Sequence, residues 1–328
     1  MSQIKISVII PTYNRKEMLI KCLSVLLKQN YTKENYEIII VDDGSTDGTK
    51  EAVMALKSVS LRYYQQKNKG PGAAINTGAN IAEGNILAFT EDDCIVNEDW
   101  LKNIMELFKN YQSATAFTGP CLAAGLEKIN KKMTYLKQEN IKKMDLKKLD
   151  TFLNIGNGSY AIKKEIFLKM KGYDENFRTQ EDWEFNIRLL KESYEVYITN
   201  KLKAIHYPRQ NLKDSFMKAY IQGMGHVKLL KIYFGRHTTI HLCLASFNID
   251  RHISFLSPFT IFIKIHFIKI LIFLSAICIF YQTSYLSALL IIACVIFIFR
   301  TSLQSIIDKA GFFAGHIAGS IKYKAFVF

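Results

Sequence analysis

The segment TEDDCIVNEDW, residues 90–100, directly follows the apolar run ILAF at positions 86–89. The apolar run predicts a buried strand, and this strand ends abruptly in the EDD triplet at 91–93. Because adjacent carboxylates repel one another, three of them at a strand end indicate a neutralising cation. Oxygen ligands of this kind favour Mg²⁺ or Mn²⁺. The structural alternative is an acidic turn before a helix near residues 97–111, where carboxylates favour the helix dipole.

Composition narrows the class of protein without deciding it. The 328 residues suffice for one large or two moderate units with a sizeable core. The net charge of +14 is compatible with nucleic acid, a membrane surface or phosphorylated ligands as partners. The six cysteines show no C-x-x-C pair, which predicts reduced thiols rather than a disulfide framework or a zinc site. The N-terminus lacks the features of a signal peptide.

Strand-like and helix-like segments alternate from the N-terminus to the EDD triplet. Strands are predicted over residues 4–10, 36–41, 61–65 and 86–89, with helices from 16 to 29, to about 57 and to about 84 between them. This alternation predicts an α/β fold with parallel strands and right-handed crossovers. Ligands of such sheets bind at the carboxyl ends of the strands, where the polar loops PTYN, VDDGS and EDD all fall. We therefore expect these loops to converge on one crevice, with Asn14 capping the first helix.

In their order and spacing, PTYN (11–14), VDDGSTDGT (41–49), the N-x-G segment 76–78 and the EDD triplet resemble family 2 glycosyltransferases. The resemblance implies a GT-A fold, which is a Rossmann-like mixed sheet flanked by helices. It also implies a nucleotide-diphospho-sugar donor, with a UDP-sugar favoured, a divalent metal, and transfer with inversion at the anomeric carbon. Residues 1–118 would form the nucleotide-sugar-binding half of the domain and residues 119–240 the acceptor-binding half.

The resemblance also implies site residues in the first half. It assigns the nucleotide-sugar contacts to Pro11, Thr12, Tyr13, Asn14, Asp42, Asp43, Asn76 and Asp92. Tyr13 would stack on the base, Asp43 would bond to the base edge, and Asp92 to the ribose or sugar. Asp93 would bind the metal that stabilises the diphosphate leaving group.

Two positions depart from the family pattern, and several have structural alternatives. Glu91 replaces the commoner Asp, so we expect it behind the direct metal ligands, and Ile75 stands where the family often has Arg. Tyr13 is alternatively a packed loop aromatic. In the DD pair, one Asp is alternatively the cap of an Asx-turn while the other binds. Asp47 and Thr49 are predicted to cap the second helix.

The stretch GYDENFRTQEDWEFNIRLL, residues 172–190, predicts a helix that begins near Glu181 and Asp182. The resemblance identifies this pair as the ED motif, with Asp182 as the general base and Glu181 as an orienting, acceptor-side neighbour. A carboxylate is ionised at neutral pH and can take the proton of the acceptor hydroxyl. The alternative is a favourable charge at a helix N-terminus. Arg188 is spaced to pair with Glu184 or with Glu181.

Three further segments have two interpretations each. The resemblance places Asn157 and Gly158 beside the acceptor, whereas the alternative is a glycine-rich turn. It makes His206 a metal ligand, which suits Mn²⁺, whereas a lone histidine is more often structural. The lysine-rich segment 126–150 is either a solvated helical face or a flap over the acceptor.

The C-terminal part, residues 250–328, is predicted to be a membrane region. Residues 270–299 carry no charge, which is too long a run for an ordinary core helix. A polar break at 282–284 predicts a hairpin with spans over 259–281 and 285–299, and one long span is the alternative. Basic residues flank both outer ends, so we expect the catalytic domain on the cytoplasmic face of the inner membrane.

The surplus positive charge lies next to this apolar region. Residues 201–237 hold eight Lys and Arg and one acid within a pattern that includes an amphipathic helix. This distribution favours membrane lipid or a lipid pyrophosphate, rather than nucleic acid, as the partner. The small-residue segment 310–321 is expected to lie along the interface or to pack on the hairpin.

The sequence therefore predicts a metal-dependent, inverting glycosyltransferase that acts on a lipid-linked or surface-polysaccharide glycan acceptor. Processive relatives carry a Q-x-x-R-W motif, but neither tryptophan, Trp100 nor Trp183, follows an arginine, so single-sugar transfer is favoured. One alternative is a sugar-phosphate nucleotidyltransferase, for which PTYNRK is a poor phosphate loop. The other is a non-catalytic, membrane-bound glycan-binding module, which would not need Asp93, Asp182 and His206.

Overall fold

The sequence motifs all lie in the first of two units into which the chain divides, Met1–Pro208 and Arg209–Phe328. A computed structural model describes residues 6–58, 60–124, 141–145, 158–207, 211–234, 238–244, 249–255, 262–263 and 303–323. Most of the lysine-rich segment 126–150, and Asn157, fall outside these residues.

The first unit alternates strands and helices as predicted. Its first half contains β1 (Ile6–Thr12), α1 (Lys16–Leu26), β2 (Tyr36–Asp42), α2 (Thr49–Met54), β3 (Leu61–Gln65), α3 (Pro71–Ile81), β4 (Ile86–Phe89), β5 (Cys94–Val96) and α4 (Trp100–Asn110). Its second half contains β6 (Ala116–Thr118), β7 (Cys121–Ala123), β8 (Ile141–Lys143), β9 (Tyr160–Lys163), α5 (Lys164–Lys169), α6 (Glu181–Lys191), β10 (Val196–Thr199) and β11 (Ala204–His206). The predicted strands and helices of the first half are confirmed, with shifted ends.

An eight-stranded sheet in the order β3-β2-β1-β4-β9-β6-β10-β8 forms the centre of this unit. Strands β1, β2, β3 and β4 are parallel, whereas β9 is antiparallel to both β4 and β6, so the sheet is mixed. β1 and β2 are rich in β-branched residues and are buried on both faces over most of their length, as central parallel strands require. The prediction of a mixed α/β sheet is confirmed.

Strand β1 runs to Thr12, two residues beyond its predicted end. Pro11 lacks an N–H group, and a proline inside a central strand removes a ladder hydrogen bond. Here β4 pairs with β1 only as far as Ile9, so Pro11 already lies beyond that neighbour and pairs with β2 alone. The carboxyl end of β1 therefore extends beyond β4, and the PTYN loop begins there.

A small three-stranded sheet in the order β5-β11-β7 is the feature that the sequence did not predict. β11 is antiparallel to β5, with His206 opposite Cys94, and parallel to β7. The Tyr207 N–H also donates to the Asp93 carbonyl at 2.9 Å. This register brings the end of the first unit back to the EDD triplet.

The second unit contains two long helices, α7 (Leu212–Phe234) and α8 (Leu303–Tyr323), and a sheet of β12 (Thr238–Leu244), β13 (Ile249–Phe255) and β14 (Phe262–Ile263). Glycines of α8 let the two helices approach closely. A Cβ atom on Gly315 would lie 2.0 Å from the Tyr220 carbonyl oxygen, and one on Gly311 2.5 Å from that of Phe216. The small-residue segment 310–321, which was expected to lie along the interface or to pack on the hairpin, packs on α7.

The predicted membrane anchor and inner-membrane location are wrong for the part of the chain that the structure describes. No helix there is both long and apolar enough to cross a membrane. α7 has sufficient length at 23 residues, but charged side chains recur along it, and these are costly in hydrocarbon. The spans predicted over 259–281 and 285–299 fall, apart from β14, outside the described residues.

Helix α3 packs on β1 and β2 through the glycine of the N-x-G segment. A Cβ atom on Gly78 would lie 2.5 Å from Cγ2 of Ile9 and 3.2 Å from Cγ2 of Val41. A Cβ atom on Gly72, in the same helix, would meet only ordinary contacts, the closest at 3.4 Å. The two glycines therefore differ in the space available to them.

We expect Gly78→Ala to lower the free energy of unfolding by about 1–3 kcal/mol, because α3 has to move away from the sheet. Gly72→Ala is the matched control, and its better helix propensity is expected to raise stability by at most about 1 kcal/mol. Chemical denaturation of both variants measures the difference. Equal stabilities would contradict the assigned packing role of Gly78.

Candidate active site

The EDD triplet follows β4 and is largely removed from solvent. Asp92 is 5% exposed and Asp93 is fully buried. The Thr12 hydroxyl, at the end of β1, donates to Asp92 Oδ2 at 2.8 Å. Burial raises the pKa of Asp92 to about 7, although the charge of Arg15 opposes the shift. Thr12 and Asp92, both predicted site residues, are therefore in direct contact.

His206 joins the triplet through β11. Its Nε2 atom lies 3.2 Å from Asp93 Oδ2. One ligand atom each from Glu91, Asp93 and His206 lie within 4.8 Å of one another. Two carboxylates and an imidazole form a donor set that fits Mn²⁺ or Mg²⁺. Glu91 was expected to lie behind the direct metal ligands. Its distance to Asp93 and His206 instead favours Glu91 as a third ligand.

Arg15 is a site residue that sequence reasoning missed. Its Nη1 atom bridges the two aspartates, at 3.1 Å from Asp92 Oδ1 and 2.5 Å from Asp93 Oδ2. Arg15 directly follows PTYN. Its position just after the carboxyl end of β1, where ligands of such sheets bind, could have identified it as a site residue. The guanidinium partly neutralises the charge that the triplet concentrates.

The PTYN loop is held by its last residue. Asn14 adopts a left-handed conformation (φ 51°), and its Oδ1 atom accepts a hydrogen bond from the Thr46 N–H at 2.8 Å. Asn14 was predicted to cap α1, and this prediction is wrong. Asp47 instead accepts the Lys16 N–H at 3.0 Å. Tyr13 is 47% exposed, and its stacking on a base stays a prediction.

The DD pair at the end of β2 organises two loops. Asp42 Oδ1 accepts the Ser45 N–H at 2.7 Å, which is the turn-capping alternative for this pair. Asp43 accepts the Lys69 N–H at 2.8 Å and the Gly70 N–H at 2.7 Å. Asp43 thereby fixes the loop that leads into α3, and its contact with the base edge stays a prediction.

The ED pair begins helix α6, as predicted. Glu181 is 6% exposed, Asp182 is partly buried, and Asp182 Oδ1 accepts the Trp183 N–H at 2.8 Å. The Tyr160 hydroxyl of β9 donates to Asn186 Oδ1 at 3.0 Å, which ties α6 to the sheet. The position of Asp182 is therefore set by the same sheet that carries the triplet.

Two side chains fix the loop before α6. Arg188 pairs with Glu184 at 2.8 Å, one of the two predicted pairings, and donates to the carbonyl oxygens of Met170 and Gly172. Asn76 Oδ1 accepts the Tyr173 N–H at 2.8 Å, and its Nδ2 donates to the Tyr173 carbonyl at 2.9 Å. Asn76, predicted to contact the nucleotide-sugar, thus links α3 to this loop.

The two acidic motifs act on one buried aromatic ring. Burial raises the pKa of Tyr173 well above its ordinary value, with further contributions from Tyr160, Asp182, Glu181 and Glu91. The Tyr173 ring packs edge-on against Phe89, the last residue of β4, at 5.9 Å between centroids. The ED pair and the EDD triplet, which are distant in sequence, therefore flank the same cluster.

Gly158 lies next to Thr90 and Cys94, the two residues that flank the EDD triplet. The Thr90 hydroxyl donates to the Gly158 carbonyl at 3.0 Å. A Cβ atom on Gly158 would lie 2.7 Å from Sγ of Cys121 and 3.0 Å from Sγ of Cys94, so a larger residue there would displace these side chains. Both cysteines are free thiols, as predicted for these two positions.

Comparison with known proteins identifies a family. Residues 7–167 match the model of glycosyl transferase family 2. A glycosyltransferase of Haemophilus influenzae is 31% identical over 202 residues, which are 60% of this chain and 66% of that protein. The dolichyl N-acetyl-alpha-D-glucosaminyl phosphate 3-beta-D-2,3-diacetamido-2,3-dideoxy-beta-D-glucuronosyltransferase of Methanococcus voltae is 28% identical over 66% of this chain and 70% of its own. The match to glycosyltransferase AglE of Haloferax volcanii, 41% identical, spans 33% of that protein.

Solved structures share the fold. The mannosyltransferase PcManGT of Pyrobaculum calidifontis, in complex with GDP-Man and Mn²⁺, has a TM-score of 0.60 at 16% identity, over 96% of this chain and 86% of that one. S. aureus TarS in complex with UDP-GlcNAc has a TM-score of 0.55 at 19% identity, over 71% of this chain and 72% of that one. These likenesses confirm the predicted GT-A-like α/β fold of the chain.

The raised pKa of Asp92 predicts a pH-dependent stability in the absence of divalent metal. Between about pH 4 and 7 the folded protein holds a proton on Asp92 that the unfolded chain has lost, so stability falls as the pH rises through this interval. The Asp92→Asn variant cannot ionise at this position. The fall in its free energy of unfolding across this pH range should therefore be smaller than that of the wild type, by a total of about 2–4 kcal/mol. Thermal unfolding in EDTA across this range measures both proteins. Parallel profiles would exclude the shift.

Proposed function

Residues 7–167 make this chain a member of glycosyl transferase family 2, and on that basis we propose that it transfers a sugar from a nucleotide-diphospho-sugar to a glycan hydroxyl. The observation that carries the proposal is the cluster of Glu91, Asp93 and His206 at the end of β4. Asp182 flanks the same aromatic cluster from the opposite half of the unit. The charges of Asp182 and Glu91 both act on the buried Tyr173 ring, which supports placing the cation and the candidate base in one active site.

The donor site lies at the carboxyl ends of β1, β2 and β4. When bound, a divalent cation held by Asp93, His206 and Glu91 supplies positive charge to the diphosphate leaving group. Mn²⁺ in the PcManGT complex supports this choice of ion. We favour a UDP-sugar, which the UDP-GlcNAc complex of TarS supports.

The remaining donor contacts follow from exposure and hydrogen bonding. The exposed Tyr13 ring stacks on the base, and Pro11 lies next to it at the end of β1. Thr12 orients Asp92 toward the ribose or sugar. Asn14, Asp42, Asp43 and Asn76 shape the site through the loops that their side chains hold.

Asp182 performs the proton transfer. As the acceptor oxygen attacks the anomeric carbon, Asp182 takes the hydroxyl proton, and the bond from that carbon to the diphosphate oxygen breaks. A single displacement of this kind needs one base and inverts the configuration at the anomeric carbon. Glu181 is buried against α3 and orients the start of α6. Its Cγ atom lies 3.4 Å from the position that a Cβ atom on Gly72 of α3 would take.

The acceptor is a lipid-linked or surface-polysaccharide glycan, to which single sugars are added. The Methanococcus voltae relative is named for a dolichyl phosphate-linked sugar acceptor, which supports this class. Gly158, which contacts Thr90 next to the triplet, lies on the acceptor side of the site in this proposal. Asn157 is assigned to the same side from its sequence position alone.

The metal role predicts a loss of both binding and activity in one variant. We expect Asp93→Ala to abolish transfer and to remove Mn²⁺ binding measured in the presence of UDP or GDP, because the buried ligand oxygen is lost. EDTA should inactivate the intact protein, and added Mn²⁺ should restore it. Full transfer activity in excess EDTA would contradict the metal assignment.

The base role predicts a separation of catalysis from donor binding. Asp182→Asn keeps the oxygen that accepts the Trp183 N–H but cannot take a proton. Turnover should fall by about 10²–10⁴-fold while donor affinity, measured by calorimetry with a panel of nucleotide-sugars, stays within about twofold. Glu181→Gln is the matched control and should retain most of its turnover. If Glu181→Gln is inactive and Asp182→Asn is normal, the base is the neighbouring residue.

A further inference from the structure

One oxygen atom of the candidate metal site has two nitrogen partners, the imidazole of His206 and the guanidinium of Arg15. Asp93 Oδ2 lies 3.2 Å from His206 Nε2, its candidate co-ligand, and 2.5 Å from Arg15 Nη1. The same Arg15 nitrogen contacts Asp92 Oδ1 at 3.1 Å. The Arg15 side chain is only 16% exposed, so its charge acts on the aspartates with little screening by water.

A divalent cation and the Arg15 guanidinium compete for these carboxylates. Each of them neutralises the buried pair, and two positive charges on one carboxylate oxygen repel each other strongly where the dielectric constant is low. A diphosphate offers the guanidinium an alternative partner, because the planar fork of arginine matches phosphate oxygens in a bidentate manner. The long arginine side chain can make this change through its own torsions, without movement of α1.

We propose that Arg15 is an internal counter-cation that holds Asp92 and Asp93 when the site is empty of donor and turns to the diphosphate when donor and metal bind. The inference rests on the proposed function of the same site. It makes Arg15 a contact of the donor diphosphate as well as of the two aspartates. It also makes metal and nucleotide binding depend on one another, since each helps to move Arg15.

The test is a binding cycle that needs no catalysis. Mn²⁺ affinity is measured by electron paramagnetic resonance, with and without saturating UDP or GDP, in the wild type and in Arg15→Gln. We expect Arg15→Gln to bind Mn²⁺ alone about tenfold more tightly, because the competing charge is gone. The factor by which the nucleotide raises Mn²⁺ affinity should fall by about tenfold, because moving Arg15 no longer contributes to the coupling.

Two further variants make the result specific. Lys16→Gln removes the neighbouring positive charge. Lys16 has no ion pair with the triplet among the described residues, so this variant should change neither the affinity for Mn²⁺ alone nor the coupling factor. Arg15→Lys keeps the charge if Arg15→Gln does not fold; its affinity for Mn²⁺ alone should stay within about threefold, while the coupling still falls because the fork is lost.

The possible outcomes are distinct. Weaker binding of Mn²⁺ alone by Arg15→Gln would mean that Arg15 positions Asp93, and an unchanged coupling factor would mean that it stays in place. Either result overturns the inference and leaves the proposed function intact. A wild type that binds no Mn²⁺ even with UDP or GDP contradicts the proposed metal site itself.

Discussion

The need to neutralise three adjacent carboxylates at the end of β4 governs the arrangement of the first unit. The positive and ligating groups around them come from two separate places: Thr12 and Arg15 from the end of β1 and the loop after it, and His206 from β11. Even with these partners, burial keeps the pKa of Asp92 near 7. The site therefore has capacity for more positive charge than the protein itself supplies, which is the physical basis for a metal.

The fold could be predicted where the local pattern decides the structure. The β-branched runs of β1 and β2 give buried parallel strands, and the polar loops after them converge at one edge because parallel strands share a direction. The end of β1 was misplaced because the effect of Pro11 depends on how far β4 extends along it. Asn14 was misassigned as a helix cap because Asp47, from another loop, takes that role.

The candidate site could be predicted in its residues more readily than in its contacts. Asp93 and His206 were expected to act together, but their contact depends on the pairing of β11 with β5, which no local pattern encodes. Arg15 was missed for the same reason, since its partners lie in the loop after β4, which is distant in sequence. The membrane prediction used the apolar character of residues 259–299 and the basic residues at their outer ends, and neither described long helix meets the requirement for a span.

The hydrogen bonds between Asn76 and Tyr173 connect the donor half of the unit to the loop that leads into the ED helix. A change at position 76 would therefore alter the position of Asp182, the proposed base, through the scaffold, although Asn76 belongs by sequence to the proposed donor motifs. In a survey of variants its phenotype would group with those of α6 rather than with those of the nucleotide pocket. The role that the sequence motif assigns to Asn76, donor binding, should therefore differ from the role that its mutational effects indicate, positioning of the loop before α6.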